Sequence, residues 1–324
     1  MHRFVNSPPA SPGTIVIALG GNALQPPGAR VTIADQFRHT RESVTAVVEL
    51  AREGWRIAIV HGNGPQVGDA LERNEEATGM EPLPLGVLVA ATAGWIGYMI
   101  QQSLMNALRV QGIDRDVLTI INQTAVDTVA GGGMEPTKPI GHALRTELVE
   151  RYRARGVPVG RDAVGNWRRL APSPIPIDLV EADAVRQLVL QGKIVIAGGG
   201  GGSPVYWDER LGWEGIDAVV DKDRVAGILA TRLEADTLMI LTNVDAVYSG
   251  WGTPEQAPIR KMGVAEAEAL LAGGALGAGS MEPKVEAAVG FVRNGGRRAV
   301  IADLGHGRAA LRGETGTTIT GDGV

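Results

Sequence analysis

The 324-residue sequence contains no cysteine, and only three of its residues are phenylalanine. The missing cysteine excludes thiol nucleophiles, disulfides and cysteine-ligated zinc or iron–sulfur clusters. A formal net charge of −5 at pH 7 provides no basic surface, so no nucleic-acid partner is expected. No apolar run reaches the roughly 20 residues that span a bilayer, and residues 1–13 lack the features of a signal peptide. These absences predict a cytoplasmic protein with no membrane partner.

Several ligand-binding motifs are also missing. No Walker A sequence with its Gly-Lys-Ser/Thr ending occurs, so any ATP would be bound without a P-loop. Residues 62–68 approach a dinucleotide fingerprint, but the third glycine comes one residue late, which disfavours a nicotinamide cofactor. The five histidines form no HExxH motif or short-spaced pair. We therefore expect no transition-metal site built by the protein alone, and His61 is predicted to be a turn residue.

The sequence is rich in glycine, with 45 residues of this type. Strand patterns alternate with helix patterns, which predicts a three-layer α/β fold: an open, mostly parallel sheet with helices on both faces. Residues 1–13 are predicted to be a disordered lead-in and residues 14–324 one domain, interrupted by a glycine- and proline-rich inserted subdomain at about 124–176. A helix is predicted from Asp178 to Gln191, and an edge strand over Thr317–Thr320.

Four glycine turns follow predicted strands or precede predicted helices, at 20–21, 62–64, 198–202 and 277–279. Four such turns at one edge of a sheet favour a site for a polyanion, although each alone is typical of ordinary turns. The first turn, Gly20-Gly21-Asn22, can hold an anion through bare backbone amides. No lysine or arginine lies between Thr14 and Gln25, so the positive charge must come from elsewhere in the chain.

Three lysines could supply that charge. Lys284 lies in the first turn of a predicted helix, where a cation opposes the helix dipole unless an anion is bound. Lys138 stands between two prolines, which indicates either a fixed task or a rigid surface loop. Lys222 lies between Asp221 and Asp223 at the head of another helix, where either aspartate could simply cap the helix and the lysine could be solvated.

Candidate nucleoside contacts are less specific. Asn243 and Asp245 could bind a ribose or cap a turn, Tyr248 could pack on a base or in the core, and Met281 could contact a ligand or belong to the core. The residues alone leave these alternatives open.

Eight stretches together carry a resemblance to a known family, and they cover nearly all of the chain after the lead-in: 18–24, 61–66, 136–141, 167–169, 172–174, 221–223, 241–245 and 279–285. In these stretches and their order the sequence resembles the carbamate kinases of the amino acid kinase superfamily. Related kinases for acetylglutamate, aspartate, glutamate or UMP usually carry a lysine on the first strand. Carbamate kinases omit it and bring one from a protruding subdomain.

The resemblance implies the amino acid kinase fold, a homodimer, and reversible phosphoryl transfer between ATP and carbamate with Mg²⁺, giving ADP and carbamoyl phosphate. Phosphoryl transfer depends on positioning and on neutralising charge rather than on covalent chemistry. The resemblance implies that Lys138 and Lys284 flank the transferring group, that Asp223 orients the lysines, and that Lys222 contacts a nucleotide phosphate.

The resemblance also assigns the two substrates to different parts of the chain, carbamate to the N-terminal part and nucleotide to about 178–324. It implies a cradle for carbamate and the γ-phosphate made by Gly20, Gly21, Asn22, Gly62, Asn63 and Gly64. It implies a nucleoside pocket shaped by Asn243, Val244, Tyr248 and Met281.

Some positions depart from the family pattern. Residues 131–135 replace a bulkier aspartate–proline stretch, His142 stands where proline is common, Asn166 replaces a glycine or arginine, and Asn243 replaces a common aspartate. Two rival functions stay open: a kinase of the same superfamily for another small acid or phosphate, and a nucleotide-binding regulatory protein without catalysis. The presence of all three lysines and Asp223 argues against the second.

Overall fold

The computed structural model describes residues 11–20, 31–76, 81–127, 134–162, 164–274, 276 and 281–323. The strands within these residues are β1 (Thr14–Leu19), β2 (Arg56–His61), β3 (Val117–Thr119), β4 (Gln123–Val126), β5 (Pro136–Ile140), β6 (Val159–Arg161), β7 (Trp167–Pro172), β8 (Pro176–Leu179), β9 (Ile194–Ile196), β10 (Ser203–Asp208), β11 (Gly212–Gly215), β12 (Thr237–Thr242), β13 (Val247–Ser249), β14 (Ala257–Ile259), β15 (Lys261–Gly263), β16 (Arg298–Asp303) and β17 (Thr317–Thr320).

The helices in the same part of the chain are α1 (Ile33–Ser43), α2 (Thr45–Arg52), α3 (Gly64–Glu76), α4 (Leu85–Val110), α5 (Thr146–Ala154), α6 (Ala182–Leu190), α7 (Lys222–Arg232), α8 (Val264–Ala272), α9 (Glu282–Arg293) and α10 (Gly307–Leu311). Among the residues described, no helix combines the length and apolar character needed to cross a membrane.

The largest sheet has eight strands in the order β15-β17-β16-β12-β1-β2-β9-β3. All of its neighbouring strands run parallel except β16 and β17. The prediction of an open, mostly parallel sheet is therefore confirmed. The prediction that Thr317–Thr320 is an edge strand is wrong, because β15 pairs with its outer side.

The predicted helix from Asp178 to Gln191 begins too early. Pro176–Leu179 forms β8, which pairs antiparallel with β4, and α6 starts at Ala182. Pro176 and Leu179 are both buried in this pairing. Contacts with a strand more than 50 residues earlier thus outweigh the local helical pattern.

Helices cover both faces of the eight-stranded sheet. Val16 and Ala18 of β1 point into one apolar cluster, which the helices α6, α7, α8 and α9 complete. Ile15, Ile17 and Leu19 point into a second cluster, which is completed by α2, α4 and α10. Successive side chains of a strand lie on opposite faces, so β1 serves two cores and its residues are all buried. The architecture has three layers.

A smaller unit stands apart from this sheet. Strands β5, β7 and β6 form a three-stranded antiparallel sheet, and α5 lies between β5 and β6 in the chain. Ile140 and Ala171 of this unit share a small apolar cluster with Val67 and Leu71 of α3 and with residues of α4. The three-stranded sheet thus rests on α3 and α4, and it lies within the residues predicted as an insertion.

Candidate active site

A cavity of about 280 Å³ lies beyond the carboxyl ends of β12, β1 and β2. This is the position where parallel α/β sheets bind ligands. Nine of the predicted site residues line it: Gly20, Gly62, Asn63, Gly64, Lys138, Lys222, Asp223, Asn243 and Lys284. Gly21, Asn22 and the predicted turn at 277–279 lie outside the described residues.

Asp221 connects two parts of the fold at this cavity. It is the N-cap of α7, where its Oδ1 accepts hydrogen bonds from the backbone N–H of Asp223 at 2.9 Å and of Arg224 at 3.3 Å. Its Oδ2 accepts a hydrogen bond from Nζ of Lys138 at 2.9 Å. Burial alone would raise the pKa of Asp221, but the charges of Lys138 and Lys222 outweigh it and hold this pKa well below its usual range.

Asp223 joins the other two lysines. Its Oδ1 lies 2.5 Å from Nζ of Lys222, and its Oδ2 lies 3.2 Å from Nζ of Lys284. Asp223 and Lys284 are both buried. Burial lowers the pKa of Lys284, as does the charge of Lys222, whereas Asp223 acts in the opposite direction. Because three lysines face only two carboxylates here, the cavity has an excess of positive charge, which suits an anionic ligand.

The second glycine turn follows β2 directly. The prediction that His61 is a turn residue is wrong: His61 is the last residue of that strand, is fully buried, and has its Nδ1 3.0 Å from the carbonyl oxygen of Gly62. A carbonyl only accepts, so Nδ1 carries the proton. Burial lowers the pKa of His61 to about 4, and the imidazole is therefore neutral near pH 7. Asn63 is fixed by a hydrogen bond of 2.9 Å from its Nδ2 to Oγ1 of Thr92.

The third glycine turn supports the second one by close packing. A Cβ on Gly199 would lie 2.5 Å from Nε2 of His61, and a Cβ on Gly200 would lie 2.2 Å from Nδ2 of Asn63. Gly200 also has a φ of +66°, which favours glycine. Only Gly200 of this turn lines the cavity. The run at 198–202 thus acts mainly as a support for His61 and Asn63.

Three of the predicted nucleoside contacts do not line the cavity. Tyr248 donates a hydrogen bond of 2.6 Å to Oδ1 of Asp245, and its ring packs edge-on against Trp251 at 5.5 Å between centroids. Met281 is partly buried and packs against the apolar cluster that includes α9. Val244 is likewise partly buried. Asn243 alone of the four predicted residues reaches the cavity.

The sequence did not single out several residues that build the site. The position of Asp221 in the sequence indicates a helix cap, but in the structure Asp221 also holds Lys138. Asn122 accepts a hydrogen bond from the backbone N–H of Gly198 at 2.9 Å, and Glu181 accepts one from Nδ2 of Asn122 at 3.2 Å. These contacts join residues more than 50 positions apart, and no local pattern indicates them.

Comparison with known proteins identifies the family of this chain. A model of the amino acid kinase family matches residues 13–303. The carbamate kinase of Pyrococcus horikoshii is 43% identical over 313 residues, which span 95% of this chain and 99% of that protein. The chain belongs to the carbamate kinases of the amino acid kinase family.

Solved carbamate kinase structures share the fold. The carbamate kinase of Giardia lamblia bound to citric acid superposes with a TM-score of 0.90 at 32% identity, covering 96% of this chain and 99% of that one. The same kinase bound to AMP-PNP gives a TM-score of 0.87 at 32% identity and the same coverage. Membership of this family confirms the predicted fold and the classification as a phosphotransferase.

Proposed function

We propose that this chain transfers a phosphoryl group reversibly between ATP and carbamate, with ADP and carbamoyl phosphate on the other side of the reaction. One observation carries this proposal: Lys138, Lys222 and Lys284, from three separate elements, converge with Asp221 and Asp223 on one small cavity. A reaction that spreads negative charge over the transferring phosphoryl oxygens needs such fixed positive groups.

Each lysine would contact a different part of the substrates. Lys138 and Lys284 would stand on either side of the transferring phosphoryl group, and Lys222 would contact a nucleotide phosphate. Asp223 would hold Lys222 and Lys284 in place, as its two short contacts in the structure indicate. Because these groups are already ordered, little reorganisation would be needed as charge develops in the transition state.

Carbamate would bind at the glycine turns. Gly20, Gly62 and Gly64 expose backbone without side chains at the floor of the cavity, and the Asn63 side chain is fixed beside them. A small planar anion fits such a cradle of amides. Gly21 and Asn22 stay predictions for the same cradle.

The nucleotide would enter from the side of α7 and α9, the part of the chain after about residue 178. AMP-PNP, bound to the Giardia relative, is an analogue of ATP, which supports nucleotide use by this chain. Asn243 would contact the nucleoside, and Val244, Tyr248 and Met281 stay predictions for that pocket.

Magnesium would arrive with the nucleotide. Within the described ranges, no group of three or more His, Cys, Asp or Glu side chains could hold a metal ion. Mg²⁺ usually binds through substrate phosphates, water and one or two carboxylates, and Asp221 and Asp223 are the carboxylates that line this cavity. The residues therefore fit an ion carried by ATP better than a resident one.

The proposal extends to the assembly of the protein and to its location. A homodimer is favoured by apolar side chains exposed on one face of α4, among them Val87, Tyr98 and Met105. Light scattering after gel filtration measures the mass directly, and a monomer at micromolar concentration would contradict the dimer. The cytoplasmic location and the role of the three-stranded unit as a protruding subdomain stay predictions.

The deciding experiment starts from carbamoyl phosphate and ADP and measures ATP by luminescence. Acetylglutamate and UMP, each supplied with ATP, serve as parallel substrates in a coupled ADP assay. ATP formed from carbamoyl phosphate supports the proposal. Turnover of only one of the other acceptors would indicate another kinase of the superfamily, and tight ADP binding without any turnover would indicate a regulatory protein.

A further inference from the structure

We propose that a backbone contact between Gly68 and Gly141 positions Lys138 over the cavity, so that both glycines are positioning residues for phosphoryl transfer. This inference rests on the function proposed above for Lys138. The contact lies between α3, which begins at the second glycine turn, and the residue that follows β5. It joins the element that carries the lysine to the element that carries the cradle.

The two backbones are too close for any side chain at Gly68. A Cβ there would lie 1.9 Å from Cα of Gly141 and 2.6 Å from its nitrogen. Real Cβ atoms do not approach backbone atoms this closely, so either α3 or the end of β5 would have to move. Gly141 has a φ of +72°, and its own Cβ would lie 3.1 Å from Cα of Gly68. Both positions therefore require glycine.

Other contacts hold the same junction together. The backbone N–H of Gly141 donates to the carbonyl oxygen of Gly64 at 3.3 Å, and the carbonyl of Gly141 accepts from the guanidinium of Arg168. Nε2 of His142 lies 3.2 Å from Oδ1 of Asp69. The residues after Gly68 and after Gly141 thus pair as well, and the junction extends over two consecutive positions on each side.

A shift at this junction would be passed to Lys138. Gly141 follows β5 directly, and Lys138 lies three residues before it on a strand that contains two prolines. Of the two, Pro139 lies between Lys138 and Gly141, and because proline fixes φ this short stretch has little freedom to absorb a displacement. Gly64 lies at the other side of the junction and lines the cavity. The contact therefore sets the distance between the Lys138 ammonium and the cradle.

Gly68→Ala tests this role, with Gly290→Ala as the matched control. Gly290 lies inside helix α9, and a Cβ there would meet nothing within 4 Å. We expect Gly68→Ala to lower kcat on the order of 10²-fold, as a displacement of about 1 Å can do, while the KM for ADP stays within about twofold. Gly290→Ala should keep the kcat of the unmodified chain. An unchanged kcat in Gly68→Ala would overturn the proposal.

Introducing Gly68→Ala into the Lys138→Ala variant distinguishes an effect on the position of Lys138 from a general disturbance of the site. If Gly68 acts through Lys138, adding Gly68→Ala to Lys138→Ala lowers kcat no further. An equal fall in both backgrounds would mean that Gly68 has only a structural role and would overturn the inference. Circular dichroism and the melting temperature establish that each variant is folded, and Gly141→Ala, with its milder clash, replaces Gly68→Ala if that variant does not fold.

The experiment also distinguishes this inference from the proposed function. Full turnover in Lys138→Ala alone would refute the role assigned to that lysine, and the positioning role would fail with it. A loss of turnover in Lys138→Ala together with normal turnover in Gly68→Ala would overturn only the positioning role.

Discussion

Nζ of Lys138 donates a hydrogen bond to Oδ2 of Asp221 over 2.9 Å, and this contact joins the three-stranded sheet to the N-terminus of α7. The same carboxylate caps α7 through its other oxygen. One side chain thus orders a helix of the main domain and holds a lysine from a different sheet. The two tasks can be separated by substitution.

Asp221→Asn should be more stable than Asp221→Ala, whereas both substitutions should lower turnover. Asparagine caps helices about as well as aspartate, whereas alanine costs about 1 kcal/mol of unfolding free energy. Neither residue carries the charge that fixes Lys138, so we expect kcat to fall about tenfold to hundredfold in both variants, as for a lost charged hydrogen bond. Urea unfolding and steady-state turnover measure the two quantities. Normal turnover in Asp221→Asn would show that the charge is not needed.

Lys138→Ala and Lys284→Ala should each lower kcat on the order of 10²-fold to 10³-fold, because each removes a fixed positive group from the phosphoryl site. Lys261→Ala is the control, since Lys261 is exposed on β15. Initial rates of ATP formation from carbamoyl phosphate measure the effect, and circular dichroism checks the fold. Near-normal rates in either of the first two variants would contradict its assigned role.

Gly200→Ala should raise the KM for carbamoyl phosphate about tenfold, because its Cβ would meet Asn63 at 2.2 Å and displace that side chain from the cradle. Gly192→Ala is the matched control. Gly192 also has a positive φ, +87°, but nothing lies within 4 Å of its Cβ position, so it shares the backbone strain without the clash. If both variants raise KM equally, the effect does not come from contact with Asn63.

Acidification should destabilise the fold through His61. Burial lowers its pKa to about 4, against 6.5 for an unperturbed histidine. Between these values the unfolded chain binds a proton that the folded chain does not, so the free energy of unfolding falls as the pH decreases from 6.5 towards 4. The loss attributable to this residue between pH 7 and pH 5 is about 2 kcal/mol. Asp221, whose pKa is lowered from 3.8, contributes in the same direction only at still lower pH.

Urea unfolding at the two pH values measures this loss, with His61→Asn as the comparison. The Nδ2 of asparagine can donate to the Gly62 carbonyl as the imidazole Nδ1 does, but asparagine does not titrate. We expect the variant to lose less stability than the unmodified chain over the same pH range. Equal losses of unfolding free energy in the variant and the unmodified chain would mean that the acid sensitivity comes from residues other than His61.

The sequence predicted correctly those parts of the fold that depend on patterns of a few neighbouring residues. The strand β1 and the lysine in the first turn of α9 could be recognised because a buried strand and a charge opposed to a helix dipole each span only a few residues. The position of β17 inside the sheet and the start of α6 could not, because each depends on pairing with a distant strand.

The site was predicted to a similar extent. The convergence of Lys138 and Lys284 follows from the family resemblance, and the structure brings both to one cavity. The link between Asp221 and Lys138 could not be read from the sequence, because the two residues lie 83 positions apart. The packing of Gly200 against Asn63 could not be predicted either. A run of glycines in a sequence does not indicate whether the backbone faces a ligand or a buried side chain.

The strand order of the main sheet fixes the dimensions of the cavity floor. Asn243, Gly20 and Gly62 line the cavity and follow β12, β1 and β2, which are neighbours in that order. Adjacent strands lie about 4.8 Å apart, so these three strand ends span roughly 10 Å, whatever the loops between them contain. A larger acceptor could be admitted by changing the loops above the floor, but a wider floor would require an additional strand.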